Sequence, residues 1–358
     1  MDSNKKILIS GAGGVTGRAI IRSLRESVKY RNSRIIGTDI FENLYGLHNK
    51  YTDILYKVPK SSDPKYRSSF ESIVDKERPD AIIISTELEA LFWSDKELDN
   101  SKLPSFEITS FLASKGSLYE HLANTDLIPK SMVLSEKDFN SLLDIKETDF
   151  KNQDIWIRSF DLGSTSAKGA SKISTRSDFD TWKGLNPETK EILVSELLPG
   201  RNFAHNLLID NGEIIANAIY ERLEYFGAKN IPSGISGNIS KGKIINPEYL
   251  LPFSRRLVNF TNSIYGNENF NGLITIDYKE DFNKLPKITE VNLRHTAATH
   301  AFALAGINMA ELQVDHILGN PININHPEIP EDNMFFRDID GIPWYTEDIN
   351  ELMAHIIN

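Results

Sequence analysis

The chain has 358 residues and a formal net charge of -10, from 40 Lys and Arg against 50 Asp and Glu, and it contains no cysteine. That balance, with no local basic stripe, excludes a nucleic-acid footprint, and the missing thiols exclude disulfides, cysteine nucleophiles and cysteine-ligated zinc. No apolar run approaches a membrane span and the stretch after Met1 is too short for a secretory signal, so the sequence predicts a cytoplasmic enzyme of two or three domains.

KKILIS (5–10) has the pattern of a buried strand, and VTGRAIIRSLRESV (15–28) follows with Val15, Ala19, Ile20, Leu24 and Val28 at helical spacing. RIIGTD (34–39) reads as a second strand and DILYKVP (53–59) as a third. The helix YRSSFESIVDKERP (66–79) then leads into strand DAIIIS (80–85). This rhythm predicts an α/β domain with a doubly wound parallel sheet over residues 1–104. A helical stretch at 109–126 precedes strands at 154–160, 170–175, 191–198, 203–210 and 212–220, with Asn211-Gly212 as a hairpin signal. A helix at 247–265, strands at 272–278 and 287–292 and a helix at 299–318 complete an α+β domain spanning 105–320. Residues 321–358 form a C-terminal extension ending in an amphipathic helix at 346–357.

The turn after the first strand, SGAGGVTG, raises the question of a dinucleotide. The Gly-x-Gly-x-x-Gly fingerprint fails at Thr16, but the looser spacing of Gly11, Gly14 and Gly17 fits, and Asp39 closes the second strand. One reading is an NAD(P)-dependent oxidoreductase. The other is a tight turn whose N–H groups, at a helix start, suit any anion.

The stretch LITIDYKEDFNKLPKITEVNLRHTA (273–297) is more informative. Glu290 and Asn292 lie two apart on a strand and share a face, and Asp277 on the neighbouring strand brings a third oxygen donor. Hard oxygen ligands of this kind suit Mg²⁺, and Arg294, again two positions on, offers a fork for phosphate. The alternative is a solvated strand face.

ITEVNLRHTAATHAFALAGINMAELQVDHILG (288–319) resembles the C-terminal signature of the ATP-grasp superfamily, with Glu-x-Asn-x-Arg, a helix, Ala-Gly-x-Asn and a closing Leu-Gly. Upstream, ASKGSLYEHLANTDLIPKSM resembles the family's entry helix, and DIWIRSFDLGSTSAKGASKIS its strand, glycine-rich loop and strand. EILVSELLPGRNFAHNLLID resembles the hinge strand, and PDAIIISTELEALF the end of the domain that precedes the grasp. The resemblance implies that Lys115 reaches the nucleotide phosphates, that Arg158, Gly163, Ser164, Thr165 and Gly169 cover them, and that Glu196 and Leu198 meet the adenine. It also implies a glycine-rich first turn that helps hold the acceptor, so Gly11, Gly13 and Gly14 are substrate candidates. Glu87, just past the C-terminal end of an expected parallel strand, and Arg222, in the long loop at 221–240, are two more. Two departures stand out. Arg158-Ser159 replaces the usual Lys-Pro, as in the carbamoyl-phosphate-synthase-like branch, and Phe203 stands near where many relatives place an acid for the ribose.

The implied chemistry is an ATP-dependent ligase that activates a carboxylate as an acyl phosphate for attack by an amine or thiol. Two Mg²⁺ ions, with Mn²⁺ as a substitute, would sit on Asp277, Glu290 and Asn292, and Arg158 and Arg294 would stabilise the transition state. Its partners would be small-molecule carboxylate and amine substrates, with no nucleic acid or membrane, in a homodimer. Against it stand the oxidoreductase and a nucleotide-binding regulator without turnover. His295 and His300, beside a helix start, read as packing residues.

Overall fold

The computed structural model describes residues 5–41, 51–160, 169–230, 238–324, 327–337, 355 and 356. The first sheet consists of β1 (Lys6–Ile9), β2 (Arg34–Asp39), β3 (Ile54–Lys57) and β4 (Ala81–Ile83), all parallel in the order β3-β2-β1-β4. Its continuous apolar runs are buried on both faces, as parallel strands under crossover helices must be. Those helices are α1 (Val15–Glu26) and α2 (Tyr66–Glu77), followed after β4 by α3 (Glu87–Ser94). The second sheet is antiparallel, with β5 (Ser131–Ser135), β6 (Ile155–Ser159), β7 (Ser171–Ile173) and β8 (Glu191–Glu196) in the order β5-β8-β6-β7. The third holds β9 (Asn202–Asp210), β10 (Glu213–Tyr225), β11 (Ile239–Ile245), β12 (Gly272–Glu280), β13 (Pro286–Asn292) and β14 (Phe335–Phe336) in the order β13-β12-β9-β10-β11-β14.

Where a single long helix is expected at 109–126, the chain forms α4 (Phe106–Ala113) and α5 (Lys115–Leu122). Ser114 turns extended between them, and its hydroxyl accepts the Ser117 N–H, capping the second helix. That break sets Lys115 at the first position of α5. Six elements absent from the sequence reading are α3, β5, α6 (Leu142–Thr148), α7 (Arg176–Leu185), β11 and β14. α7 opens with a complete capping box from Thr175 and Asp178. The helix α8 (Leu251–Tyr265) starts after a 3-10 turn at Pro247–Tyr249. The expected helix at 299–318 is likewise two, α9 (Thr299–Leu304) and α10 (Met309–Ile317), parted at Gly306, whose φ of 90° is one that glycine tolerates.

The sequence boundary at 104 does not separate the cores. Ala310 and Val314 of α10 pack with Ile7, Ile9 and Ile20 of the first sheet and α1. Tyr30 donates to Asp315 at 2.7 Å and Asn308 to the Ser23 carbonyl at 2.7 Å, so the later part of the chain is pinned to the first domain. In the extension, β14 adds an edge strand beside β11, and the His355 N–H donates to the Leu55 carbonyl at 2.7 Å. Most of the expected helix at 346–357 lies outside the described residues. At its end His355 pairs with Tyr56 as an isolated strand bridge and does not continue a helix.

Two fully buried histidines are structural. The His205 ring meets Ser254 at 2.8 Å and Asn217 at 3.0 Å, and His295 meets Gln313 at 2.7 Å. Burial pushes both imidazoliums down to about 4. An unfolded histidine takes its proton near 6.5, so between those values the unfolded chain binds more protons and stability is lost as the pH is lowered. The urea midpoint is therefore expected to drop from pH 7 to pH 4, by roughly 3 kcal/mol per histidine at about 1.4 kcal/mol per unit. His295→Gln should flatten that slope by about half, and an unchanged slope would contradict the assignment.

Candidate active site

The site begins on the hairpin of β12 and β13. Asp277 pairs directly across from Glu290, and Thr275 across from Asn292, so the three oxygen-bearing side chains face one cleft. A bulge at Thr289 breaks the alternation, so Lys287, out of phase with Glu290 in the sequence, also reaches that side. Lys279, two positions after Asp277, joins them. The period-2 spacing signalled Lys279, whereas nothing in the sequence signals the bulge.

The two carboxyls lie close enough to hydrogen-bond to one another. Burial and the neighbouring Glu290 push Asp277 up, with Arg222 opposing. Against its own burial, Glu290 is held down by Lys115 and Arg158. Arg222 donates to Asp277 Oδ1 at 2.7 Å and to Asn202 at 2.9 Å, and Lys115 Nζ stands 3.2 Å from Glu290 Oε2. Arg222, a substrate candidate from the sequence, is here the counter-ion of Asp277, because β10 runs on to Tyr225 and places residue 222 inside the sheet.

Adjacent acids that must share a proton or borrow cations form a pair suited to a divalent ion. Among the described residues no group of three or more His, Asp or Glu side chains gathers. The donor set is two carboxylates and the Asn292 amide oxygen, hard ligands that fit Mg²⁺ with its remaining positions left to water or phosphate.

The cleft has a volume of about 1530 Å³ and is bounded by the second and third sheets, α5 and the edge of the first domain. One end is apolar, with Ile128, Met132, Leu193 and Leu198 beside Glu196 at the end of β8. The Lys130 N–H donates to Glu196 Oε1 at 2.9 Å, fixing that carboxylate at the rim. In the middle, Arg158 reaches the Thr289 carbonyl at 3.5 Å, while its Nε is buried with no hydrogen-bond partner among the described residues. A buried orphan donor on a guanidinium marks a place for an anion. Gly169, at φ 65°, brings its carbonyl to the Ser159 N–H at 3.1 Å and to Trp182 Nε1 at 2.9 Å. Gly163, Ser164 and Thr165 lie outside the described residues. Phe203 is fully buried in the core, and Asn202 is the residue that faces the cleft there.

Arg294 bridges the domains, donating to Thr16 at 3.2 Å and, at 3.5 Å, to Asn292. Glu87 lines the same end, where burial pushes its carboxyl up, Arg294 pulls it down and Glu290 pushes it up again. Gly11, Gly13 and Gly14 do not line the cleft; Val15 and Thr16, the next residues, do. The turn's N–H groups are spent internally, with Ala12 donating to Thr38, Gly14 to Gly11 and Gly13 to Asp39 Oδ2 at 2.8 Å. Asp39, the acid that a dinucleotide ribose would need, also accepts the Phe41 N–H at 3.2 Å. The glycines serve close packing. A Cβ on Gly11 would stand 2.3 Å from Thr86 Cγ2, and one on Gly17 would stand 2.4 Å from the Gly11 carbonyl.

No family model and no curated protein matches the chain. Solved structures do. N5-carboxyaminoimidazole synthetase from Staphylococcus aureus, complexed with ADP, is 16% identical with a TM-score of 0.62, covering 90% of this chain and 79% of its own. L-amino acid ligase from Bacillus licheniformis is 14% identical with a TM-score of 0.60, covering 89% and 75%. Biotin carboxylase from Campylobacter jejuni, solved as a β,γ-ATP complex, is 14% identical with a TM-score of 0.60, covering 89% and 72%. The chain has the ATP-grasp fold, an α/β parallel-sheet domain followed by two antiparallel sheets that face each other across the cleft.

Proposed function

We propose that this chain is an ATP-dependent ligase that joins a small-molecule carboxylate to an amine or thiol through an acyl phosphate. The observation that carries the reading is the Asp277–Glu290 pair, set with Asn292 in a cleft whose flanking cations are Lys115, Arg158 and Arg294. The solved neighbours described as ligases or synthetases support it.

The difficulty in such a reaction is charge, because a carboxylate must approach a γ-phosphate while both are anionic. Lys115 and Arg158 hold fixed positive charge where a triphosphate would lie, with Arg158 Nε as its open donor. Arg294, locked by Thr16 and Asn292, positions the incoming carboxylate at the domain junction. The apolar slot by Leu198 takes the adenine, with Glu196 at its edge. Mg²⁺ held by Asp277, Glu290 and Asn292 would neutralise the β- and γ-oxygens. Arg222 and Lys115 pair with the carboxylates that would hold the ion.

ATP with Mg²⁺ is expected to raise the melting temperature by several degrees and NADH to leave it unchanged. Stabilisation by NADH alone would overturn the reading in favour of a nicotinamide enzyme. ADP release across a panel of carboxylic acids and amines then distinguishes a ligase, which responds to one pair, from a silent regulator, which responds to none.

A further inference from the structure

Beyond the cleft's domain-junction end lies a group of cations that the ligase chemistry does not use. Val15, which lines the cleft, is followed on the same face of α1 by Arg18 and Arg22, three and seven residues on. Arg337, close enough to feel the charge of both, donates to the carbonyl of Ile239 at 3.0 Å, and Ile239 itself lines the cleft. His300 of α9, the helix packed on α1, lies beside them, and burial and the nearby Arg22 push its imidazolium down.

Positive charge here is poorly compensated. Among the described residues none of the three guanidiniums is in an ion pair, and Glu26 stands 3.7 Å from His300. Arg18 Nε is buried without a hydrogen-bond partner, and so is His300 Nε2. Burial lowers Arg18 and Arg337, and Arg22 depresses both further, as like charges confined together do. Arg22 lies over the Tyr51 ring, 5.6 Å from its centre. Three arginines held together at a partly buried site cost stability unless something anionic joins them. Tyr220, wedged against Phe302 and Phe335, forms the wall between this group and Arg222.

We infer that Arg18, Arg22 and Arg337 form a binding site for a second anionic group on the substrate, a phosphate or a further carboxylate, lying beyond the carboxylate that is activated. This rests on the ligase reading for its link to turnover, but the anion site itself does not. The substrate class it names is a small molecule with one anion at Arg294 and another at the α1 arginines. Guanidinium forks suit both phosphate and carboxylate oxygens, so the source is left to experiment.

The test is a thermal shift of the full chain with inorganic phosphate or succinate against sodium chloride at equal ionic strength. Each is measured with and without saturating ADP and Mg²⁺, which fills the phosphate end of the cleft. Wild type should be stabilised by phosphate or succinate over chloride even with ADP present, and whichever shifts more names the anion. Arg18→Gln and Arg22→Gln should each weaken that binding by about tenfold, the size of one charge-assisted hydrogen bond lost, and leave the ADP shift unchanged. In anion-free buffer Arg18→Gln should melt no lower than wild type, because it relieves an uncompensated charge; a structural arginine would melt lower. Anion shifts equal to chloride, or unaltered in both variants, would overturn the site. Loss of the ADP shift with the Arg18-dependent anion shift intact would instead refute the ligase reading and leave the site standing.

Discussion

Glu290→Gln is expected to lower ADP formation by about 10³-fold or more while leaving the fold intact. The substitution keeps volume and removes one charge from the pair that would hold the metal. Metal stabilisation of transition-state charge amounts to several kcal/mol, and each tenfold in rate is about 1.4 kcal/mol. Its structural cost is small, because Lys115, the partner it loses, is 25% exposed and such a pair contributes about 1 kcal/mol or less. Asp277→Asn should be as inactive but also unstable. It strips the partner from Arg222, and with side chains only 14% and 10% exposed, breaking that pair costs about 3–5 kcal/mol. Activity and urea midpoints measured on both variants separate the two roles. Turnover of Glu290→Gln within tenfold of wild type would remove the metal assignment.

The second large effect concerns the glycine turn. Gly17→Val is expected to lower stability by about 3 kcal/mol or more, at the upper end of overpacking costs. Its Cβ would meet the Gly11 carbonyl at 2.4 Å and Ala12 Cα at 2.8 Å, both backbone atoms that cannot rotate away. Gly14→Ala should cost less, since its nearest neighbour lies at 3.2 Å. A urea midpoint for Gly17→Val equal to wild type would mean that the turn has slack and that its glycines answer to something else. The glycines resemble a dinucleotide fingerprint because both uses need a helix pressed close against a strand end, and only the close packing is realised here. With Gly13 bonded to Asp39, the acid serves the turn and not a ribose.

Local chemistry, which a sequence carries directly, predicted the strand–helix rhythm of the first domain, the hairpin at Asn211-Gly212 and the shared face of Glu290 and Asn292. Each depends on periods of two or 3.6 residues and on the conformational freedom of glycine. The same logic overran the helices at 109–126 and 299–318, because hydrophobic spacing continues through Ser114 and Gly306 while the backbone does not. Partnerships between distant residues had no local signal. Arg222 and Asp277 are 55 positions apart and met only when β10 extended past its expected end. The bulge that turns Lys287 into the cleft depends on how two strands pair, and Arg337 approaches α1 only through the C-terminal edge strand. The sequence by itself therefore determined which oxygens and cations this protein has to work with. The tertiary structure alone decided which of them share a low-dielectric cleft, because burial and charge pairing are properties of neighbours in space.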